Sequence, residues 1–131
     1  MIVVDTCVLI WDALEPKKLS RKALNAINHA SQHDGLMISE ISVWEMAMIL
    51  KLGRIKVDCS FRELMDLILA SRPYHLKGIS PEIADLAVFG LSSINKDPAD
   101  RLIAATALSE KIPLITSDTH LRHSKEIETI W

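Results

Sequence analysis

Aromatic residues are scarce in this chain of 131 residues, at 5%, and so are glycine (4), proline (5) and cysteine (2). So little glycine and proline excludes collagen-like and low-complexity classes. Cys7 and Cys59 are too few for a disulfide framework and read as reduced thiols. Few aromatics leave little surface for stacking on bases. Neither charge sign dominates: 15 basic and 17 acidic residues give a net charge of -2. That excludes a broad cationic coat for nucleic acid, though not a local footprint. The longest uncharged run, residues 23–33, is eleven residues and polar, short of the ~18 apolar residues of a membrane span. The opening Met1-Ile2-Val3-Val4-Asp5 has no basic n-region and meets an acid at once. It is expected to be a strand rather than an export signal, which points to the cytoplasm. There is no Walker A loop, no Gly-x-Gly-x-x-Gly and no Gly-x-Ser-x-Gly, so phosphate-loop, dinucleotide and serine-hydrolase chemistry lack their motifs.

Apolar residues make up 49% of the chain, enough for a core without staples. The length suits a single domain over residues 1–131. The β-branched run at 2–4 reads as a buried strand, with further strands at 36–38 and 113–116, a weaker one at 75–79 and an edge strand at 127–131. Helices are expected at 7–14, 20–33 (Ser20 as cap, Gly35 as stop), 39–52 (stopped by Gly53), 60–71, 80–91, 97–111 and, briefly, 119–123. Strands alternating with helices predict an α/β fold with a mainly parallel central sheet.

The placement of the acids says more than their number. Asp5 follows the first strand and Asp118 lies two residues past the strand ending at Thr116. Both fall at carboxyl ends of strands, the edge where open α/β sheets build sites. Either acid alone is also a plausible helix cap. Glu45 sits in Ile41-Ser42-Val43-Trp44-Glu45-Met46-Ala47-Met48, a helix apolar nearly all round and so expected to be buried. A carboxylate there needs a partner or a metal, unless Ser42 and Glu45 form a capping box. In Asp97-Pro98-Ala99-Asp100-Arg101, capping accounts for Asp97 but only partly for Asp100. Asp5, Glu45, Asp100 and Asp118 together, with Asp97 as a fifth, would repel one another unless a hard divalent cation joined them. Oxygen-only ligands favour Mg²⁺ or Mn²⁺, and such a metal with no other nucleophile suggests phosphodiester hydrolysis. The histidine pairs His29/His33 and His120/His123 read as surface residues, since zinc needs more converging ligands.

At these residues the chain resembles the PIN-domain nucleases, and within them the VapC toxins of bacterial toxin–antitoxin pairs. The matching segments are Val4-Asp5-Thr6-Cys7-Val8-Leu9-Ile10, Ser39-Glu40-Ile41-Ser42-Val43-Trp44-Glu45, Asp97-Pro98-Ala99-Asp100-Arg101-Leu102-Ile103, Thr116-Ser117-Asp118 and the terminal Thr129-Ile130-Trp131. The resemblance implies a PIN-like α/β/α sandwich and a Mg²⁺- or Mn²⁺-dependent endoribonuclease. It maps the acidic quartet, as catalytic residues and metal ligands, onto Asp5, Glu45, Asp100 and Asp118. Thr6, Asp97 and Ser117 become supporting residues. It also implies a cognate antitoxin as partner, RNA as substrate and a homodimer.

Rival classes fail on residues. A haloacid-dehalogenase-like phosphatase needs a second Asp two positions after Asp5, where Cys7 stands. A receiver domain needs paired acids at the first strand and a late lysine. An inactive PIN-fold RNA-binding or scaffold module is the surviving alternative. RNA would have to use local basic groups: Lys17, Lys18, Arg21 and Lys22; Lys51, Arg54 and Lys56; Arg101; or Arg122 and Lys125. The face of Lys51, Arg54 and Arg122 is the expected one, because their elements lead from the acids. Trp11, Leu14 and the helix at 20–33 are the apolar candidates for an antitoxin groove.

Overall fold

The computed structural model describes residues 1–94 and 96–131. Among these the elements run β1 (Ile2–Val4), α1 (Thr6–Leu14), a 3-10 turn (Pro16–Lys18), α2 (Arg21–Gln32), β2 (Leu36–Ser39), α3 (Glu40–Lys51), α4 (Phe61–Ser71), β3 (Tyr74–Lys77), α5 (Pro81–Asp85), a π-turn (Leu86–Gly90), α6 (Pro98–Glu110), β4 (Leu114–Ile115), α7 (Thr119–Arg122) and β5 (Thr129–Ile130). The five strands form one sheet in the order β3-β2-β1-β4-β5, and every pairing is parallel. The sheet expected to be mainly parallel is therefore wholly so.

Alternation along the strands splits the core into two layers. Ile2, Val4, Leu36, Ile38 and Ile115 point to one face, where residues of α1, α2, α3 and α4 cover them. Val3, Met37 and Leu114 point to the other, under α5, the π-turn, α6 and α7. This is the α/β/α sandwich the strand–helix alternation requires, since a parallel sheet must be buried on both faces. Caps fall where the sequence places them: the side chains of Ser20, Ser60 and Ser80 accept from Ala23, Glu63 and Ile83 amides. Gly35, at φ +89°, turns α2 into β2, and a Cβ there would meet His75 Nε2 and the Pro73 carbonyl at 2.9 Å.

Two expectations change. The helix foreseen over 80–91 is regular only to Asp85 and then widens into the π-turn. Arg101 helps hold that turn: its guanidinium donates to the carbonyl of Ala87 within it (2.7 Å) and to that of Ile94 beyond it (3.1 Å). Arg101 therefore serves the fold at this place. Helix α3, expected to be enclosed, is buried only at Ser42 and Met46, and Trp44 is 59% exposed. Val43, Ile49 and Ile41 still pack against the core from its edge, and Trp44 is left on the surface. Among the described residues no helix is long and apolar enough to cross a membrane.

Candidate active site

The strand order fixes where a site can form. From β1 the chain proceeds to β2 and β3 on one side, then crosses back to lay β4 on the other side of β1. The crevice beyond the carboxyl ends of β1 and β4 is thus the topological switch point, the place where open α/β sheets bind ligands. Asp5 leaves β1 there, its amide bonded to the Ile115 carbonyl of β4 at 3.1 Å. Thr116, Ser117 and Asp118 leave β4 at the same edge.

Asp5 is 5% exposed and caps α1. One carboxylate oxygen accepts from the Thr6 amide at 2.7 Å, and the other from the Thr116 hydroxyl at 2.6 Å. Burial pushes its pKa above the ordinary carboxylate range. The two hydrogen bonds oppose that shift, and the charge of Asp118 adds to it. The same apolar surroundings, together with Asp5, push the Cys7 thiol up to about 12. Cys7 is thus a protonated neighbour rather than a thiolate ligand. Its sulfur lies 3.7 Å from both Asp5 Oδ2 and Ser117 Oγ.

Glu45 stands half-buried on α3 and meets α1 through Thr6, whose hydroxyl donates to Glu45 Oε1 at 2.6 Å and lies 2.9 Å from Ser42 Oγ. Thr6 therefore joins the first two acids: its amide holds Asp5 and its hydroxyl holds Glu45. Burial raises the Glu45 pKa, Thr6 lowers it, and the charges of Asp5 and Asp97 raise it again. Ser42 is spent inside this cluster. Helix α3 begins at Glu40 with Ser39 as its cap residue, so Ser42 lies inside the helix, which removes the capping-box explanation of Glu45.

The remaining acids arrive on helix N-termini. Asp97 caps α6, its Oδ1 accepting from the Asp100 amide at 3.0 Å. It also lines a cleft of about 530 Å³ with Glu45, Trp44, Ile41, Pro98 and Ala99. Asp97 is both a cap and a charge facing Glu45. Asp100 sits in the same first turn, on a helix that packs against α3. Asp118 caps α7 through the Leu121 amide and is itself positioned by its own amide on the Thr116 hydroxyl, both at 3.0 Å.

The structure thus brings Asp5 within electrostatic reach of Asp118 and of Glu45, brings Glu45 within reach of Asp97, and places Asp100 in the first turn that Asp97 caps. Thr6 hydrogen-bonds both Asp5 and Glu45. Ser117 touches Cys7, whereas the residue that holds Asp5 and orients Asp118 is Thr116, which sequence reasoning passed over as the end of a strand. Its signal was the Thr116-Ser117-Asp118 turn, where a hydroxyl two residues before an acid can accept that acid's amide.

Two observations bear on whether a divalent cation fits. The donors are carboxylate oxygens, the set that Mg²⁺ and Mn²⁺ prefer. Ser39 Oγ, at the carboxyl end of β2 on this same edge, is buried without a hydrogen-bond partner among the described residues. A hydrated cation nearby would supply that hydroxyl with water. As placed, no three acid, histidine or cysteine side chains among the described residues stand close enough to form a ready-made cage. The histidine pairs form no cage either, and His29 and His33 stack on each other at 4.1 Å.

The comparisons agree with this architecture. The PIN domain family matches residues 2–126. Ribonuclease VapC22 of Mycobacterium tuberculosis (strain ATCC 25618 / H37Rv) is 36% identical over 133 aligned positions, covering 99% of this chain and 98% of that protein. In fold, the chain resembles VapBC2 from Rickettsia felis, solved bound to a DNA fragment from their promoter, with a TM-score of 0.67, 19% identity and coverage of 98% and 97%. It also resembles a toxin–antitoxin complex from Klebsiella pneumoniae, with a TM-score of 0.62, 24% identity and coverage of 91% and 88%. With the all-parallel sheet, the acids at its switch point and a family match over nearly the whole chain, this protein belongs to the PIN-domain family.

Proposed function

We propose that the protein is a Mg²⁺- or Mn²⁺-dependent endoribonuclease and the toxin of a toxin–antitoxin pair. The observation that carries this is the Asp5–Thr6–Glu45 linkage at the switch point. Two carboxylates of like charge share one threonine, and each raises the other or is raised by further acids. Either a proton or a divalent cation would neutralise such an arrangement, and the oxygen-only donor set suits a hard cation.

In this reading Asp5, Glu45, Asp100 and Asp118 hold the metal. When bound it neutralises charge on the scissile phosphate and lowers the pKa of a water for hydrolysis. Thr6 and Thr116 position the first two carboxylates, and Asp97 keeps the start of α6 in place while adding negative charge toward Glu45. A relative named as a ribonuclease supports the activity, and fold neighbours solved as toxin–antitoxin complexes support an antitoxin partner. Exposed Trp44, Val88 and Phe89 offer apolar surface for such a partner, more than Trp11, which packs on Trp131. A homodimer and a cytoplasmic location belong to the same proposal.

The inactive-module reading has one observation in its favour, the lack of a ready-made cage among the described residues. Melting the protein with and without millimolar Mn²⁺ separates the two. A metal at a hundred times its Kd stabilises by about 2.7 kcal/mol, so the melting temperature should rise, and the rise should vanish in Asp5→Asn. RNA cleavage should stop in EDTA and return with Mn²⁺. A melting curve indifferent to metal, or cleavage that survives EDTA, would overturn the proposal.

A further inference from the structure

A polar pocket on the same edge of the sheet as the acids gathers positive charge. It encloses about 260 Å³ and is walled by Lys22, Thr119, Arg122, His123, Thr129 and Trp131. Lys22 comes from the first turn of α2, Thr119 and Arg122 from α7 with His123 as its cap, and Thr129 from β5. Residues a hundred positions apart thus bring cations to one hollow. Lys18, Arg72 and Lys77 each have a carboxylate within 2.9 Å, whereas Lys51 and Arg54 after α3 have none among the described residues, so the convergence of Lys22 and Arg122 on one hollow is what sets this place apart. Among the described residues, Lys22, Arg122 and His123 form no ion pair.

The chemistry of the wall selects an anion with several acceptor oxygens. Lysine and arginine only donate, and the threonine hydroxyls add donors. Arginine's fork and lysine's point charge are both phosphate binders. The location selects the phosphate. Asp118, which caps α7, immediately precedes Thr119 and acts electrostatically on Asp5. Ile130 of β5 pairs with Ile115 of β4, so Trp131 stands level with Thr116. The pocket therefore lies along the same sheet edge, one strand outward from the acids. A strand of RNA with its scissile phosphate at Asp5 and running outward over β4 would bring a flanking phosphate to this hollow.

We infer that the pocket is a phosphate subsite, in which Lys22 and Arg122 grip a backbone phosphate of RNA beside the scissile one. The inference rests on the ribonuclease reading above and deepens it. It also replaces the expected basic face of Lys51, Arg54 and Arg122: Arg122 acts with Lys22 across the β4–β5 side, not with the cations after α3.

The test compares two double variants with equal loss of charge, Lys22→Ala/Arg122→Ala and Lys51→Ala/Arg54→Ala. Binding of a fluorescein-labelled single-stranded RNA of about a dozen nucleotides is read by anisotropy in EDTA across a NaCl series, and cleavage is read separately in Mn²⁺. The pocket pair should weaken binding about tenfold at low salt and flatten the salt dependence by about one unit of slope. The control pair should change neither. Equal losses in both variants would mean diffuse attraction and would overturn the subsite. So would wild-type binding by the pocket variant. In those cases wild-type cleavage still leaves the ribonuclease reading standing. A wild type that neither binds nor cleaves RNA would overturn both. A pocket variant that keeps RNA but loses a poly-glutamate peptide bound by the wild type would reassign the hollow to an acidic protein segment.

Discussion

Helix α1 carries an aspartate with a covered side chain near each end, and the two are treated in opposite ways. Asp12, with its side chain 5% exposed, receives Arg72 in a two-pronged ion pair, Nε at 2.6 Å and Nη2 at 2.8 Å, and the Tyr74 hydroxyl at 3.1 Å. Arg72 is then anchored by Asn28 and Ser31. Asp5, buried as a whole residue, receives only an amide, a hydroxyl and a thiol, and its charged neighbours are acids. One charge is neutralised within the protein, and the other, on the more deeply buried residue, has no cation beside it among the described residues. The first pattern locks α1 to the α4–β3 junction. The second is what a site for a cation requires.

Breaking the neutralised end should cost the most stability. Arg72→Ala leaves Asp12 buried and unpaired, a loss of about 3 kcal/mol, a large share of the roughly 5–15 kcal/mol of a typical fold. Urea unfolding should show it, while specific cleavage activity measured well below the midpoint stays near wild type. A shift under about 1 kcal/mol would put the pair in the class of exposed ion pairs, which contribute little.

The opposite signature is expected at the other end. Asp5→Asn keeps the shape and removes a buried charge, so unfolding without metal should show equal or greater stability. Cleavage should fall by about a hundredfold or more, since loss of one metal ligand forfeits several kcal/mol of transition-state charge stabilisation. Glu45→Gln should behave the same way. An Asp5→Asn protein that loses stability but keeps activity would reverse the assignment of the two ends.

Much of this was legible in the sequence because it rests on local pattern. The β-branched run at Ile2–Val4, the serine caps at Ser20, Ser60 and Ser80 and the stops at Gly35 and Gly53 are signals within a few residues. The acids at strand ends were legible because topology puts carboxyl ends at one edge. What escaped depends on pairs far apart in the chain. Thr116 reaches Asp5 across 111 positions and Arg72 reaches Asp12 across 60. No periodicity encodes either. Arg101 looked like a surface cation because its partners are backbone carbonyls, which carry no residue signature. The π-turn after Asp85 has no proline or glycine at its start to announce it. The exposure of Trp44 escaped because an apolar helix surface reads the same whether covered by core or by a partner.

Thr116→Val sharpens the contrast with a smaller effect. It removes the hydroxyl that Asp5 accepts and on which the Asp118 amide rests. A hydrogen bond to a charged group contributes about 1.5 kcal/mol or more, so the rate should fall about tenfold. The carboxyl of Asp5 loses a bond that lowers its pKa, so the acid limb of the cleavage profile should move to higher pH. Ser117→Ala, whose hydroxyl is 3.7 Å from the Cys7 sulfur, should do much less. Equal effects of the two would return Ser117 to the role first expected of it.

The smallest expected effect is the pH dependence of stability without metal, and its sign separates the two ends of α1. Asp5 and Glu45 have raised pKa values in the folded protein. Between the ordinary carboxylate range, about pH 4, and those raised values, the folded state holds more protons than the unfolded one. Stability from these two groups is therefore present at low pH and is lost as pH rises through that window. Glu126 works the other way: hydroxyls of Ser93, Ser92 and Ser124 hold it below its ordinary value, so its contribution is lost as pH falls. The reading must therefore be a difference. Subtracting the urea stability of Asp5→Asn/Glu45→Gln from that of the wild type, in EDTA from pH 4 to 8, should give a curve that declines with pH. The same subtraction with Arg72→Ala should lack that decline, because the variant keeps both raised carboxylates. Saturating Mn²⁺ should turn the first curve upward toward neutral pH, since the cation binds the charged form. A difference curve that is flat in EDTA would mean that the folded protein already neutralises Asp5 and Glu45 as it does Asp12, and the contrast between the two ends of α1 would fail.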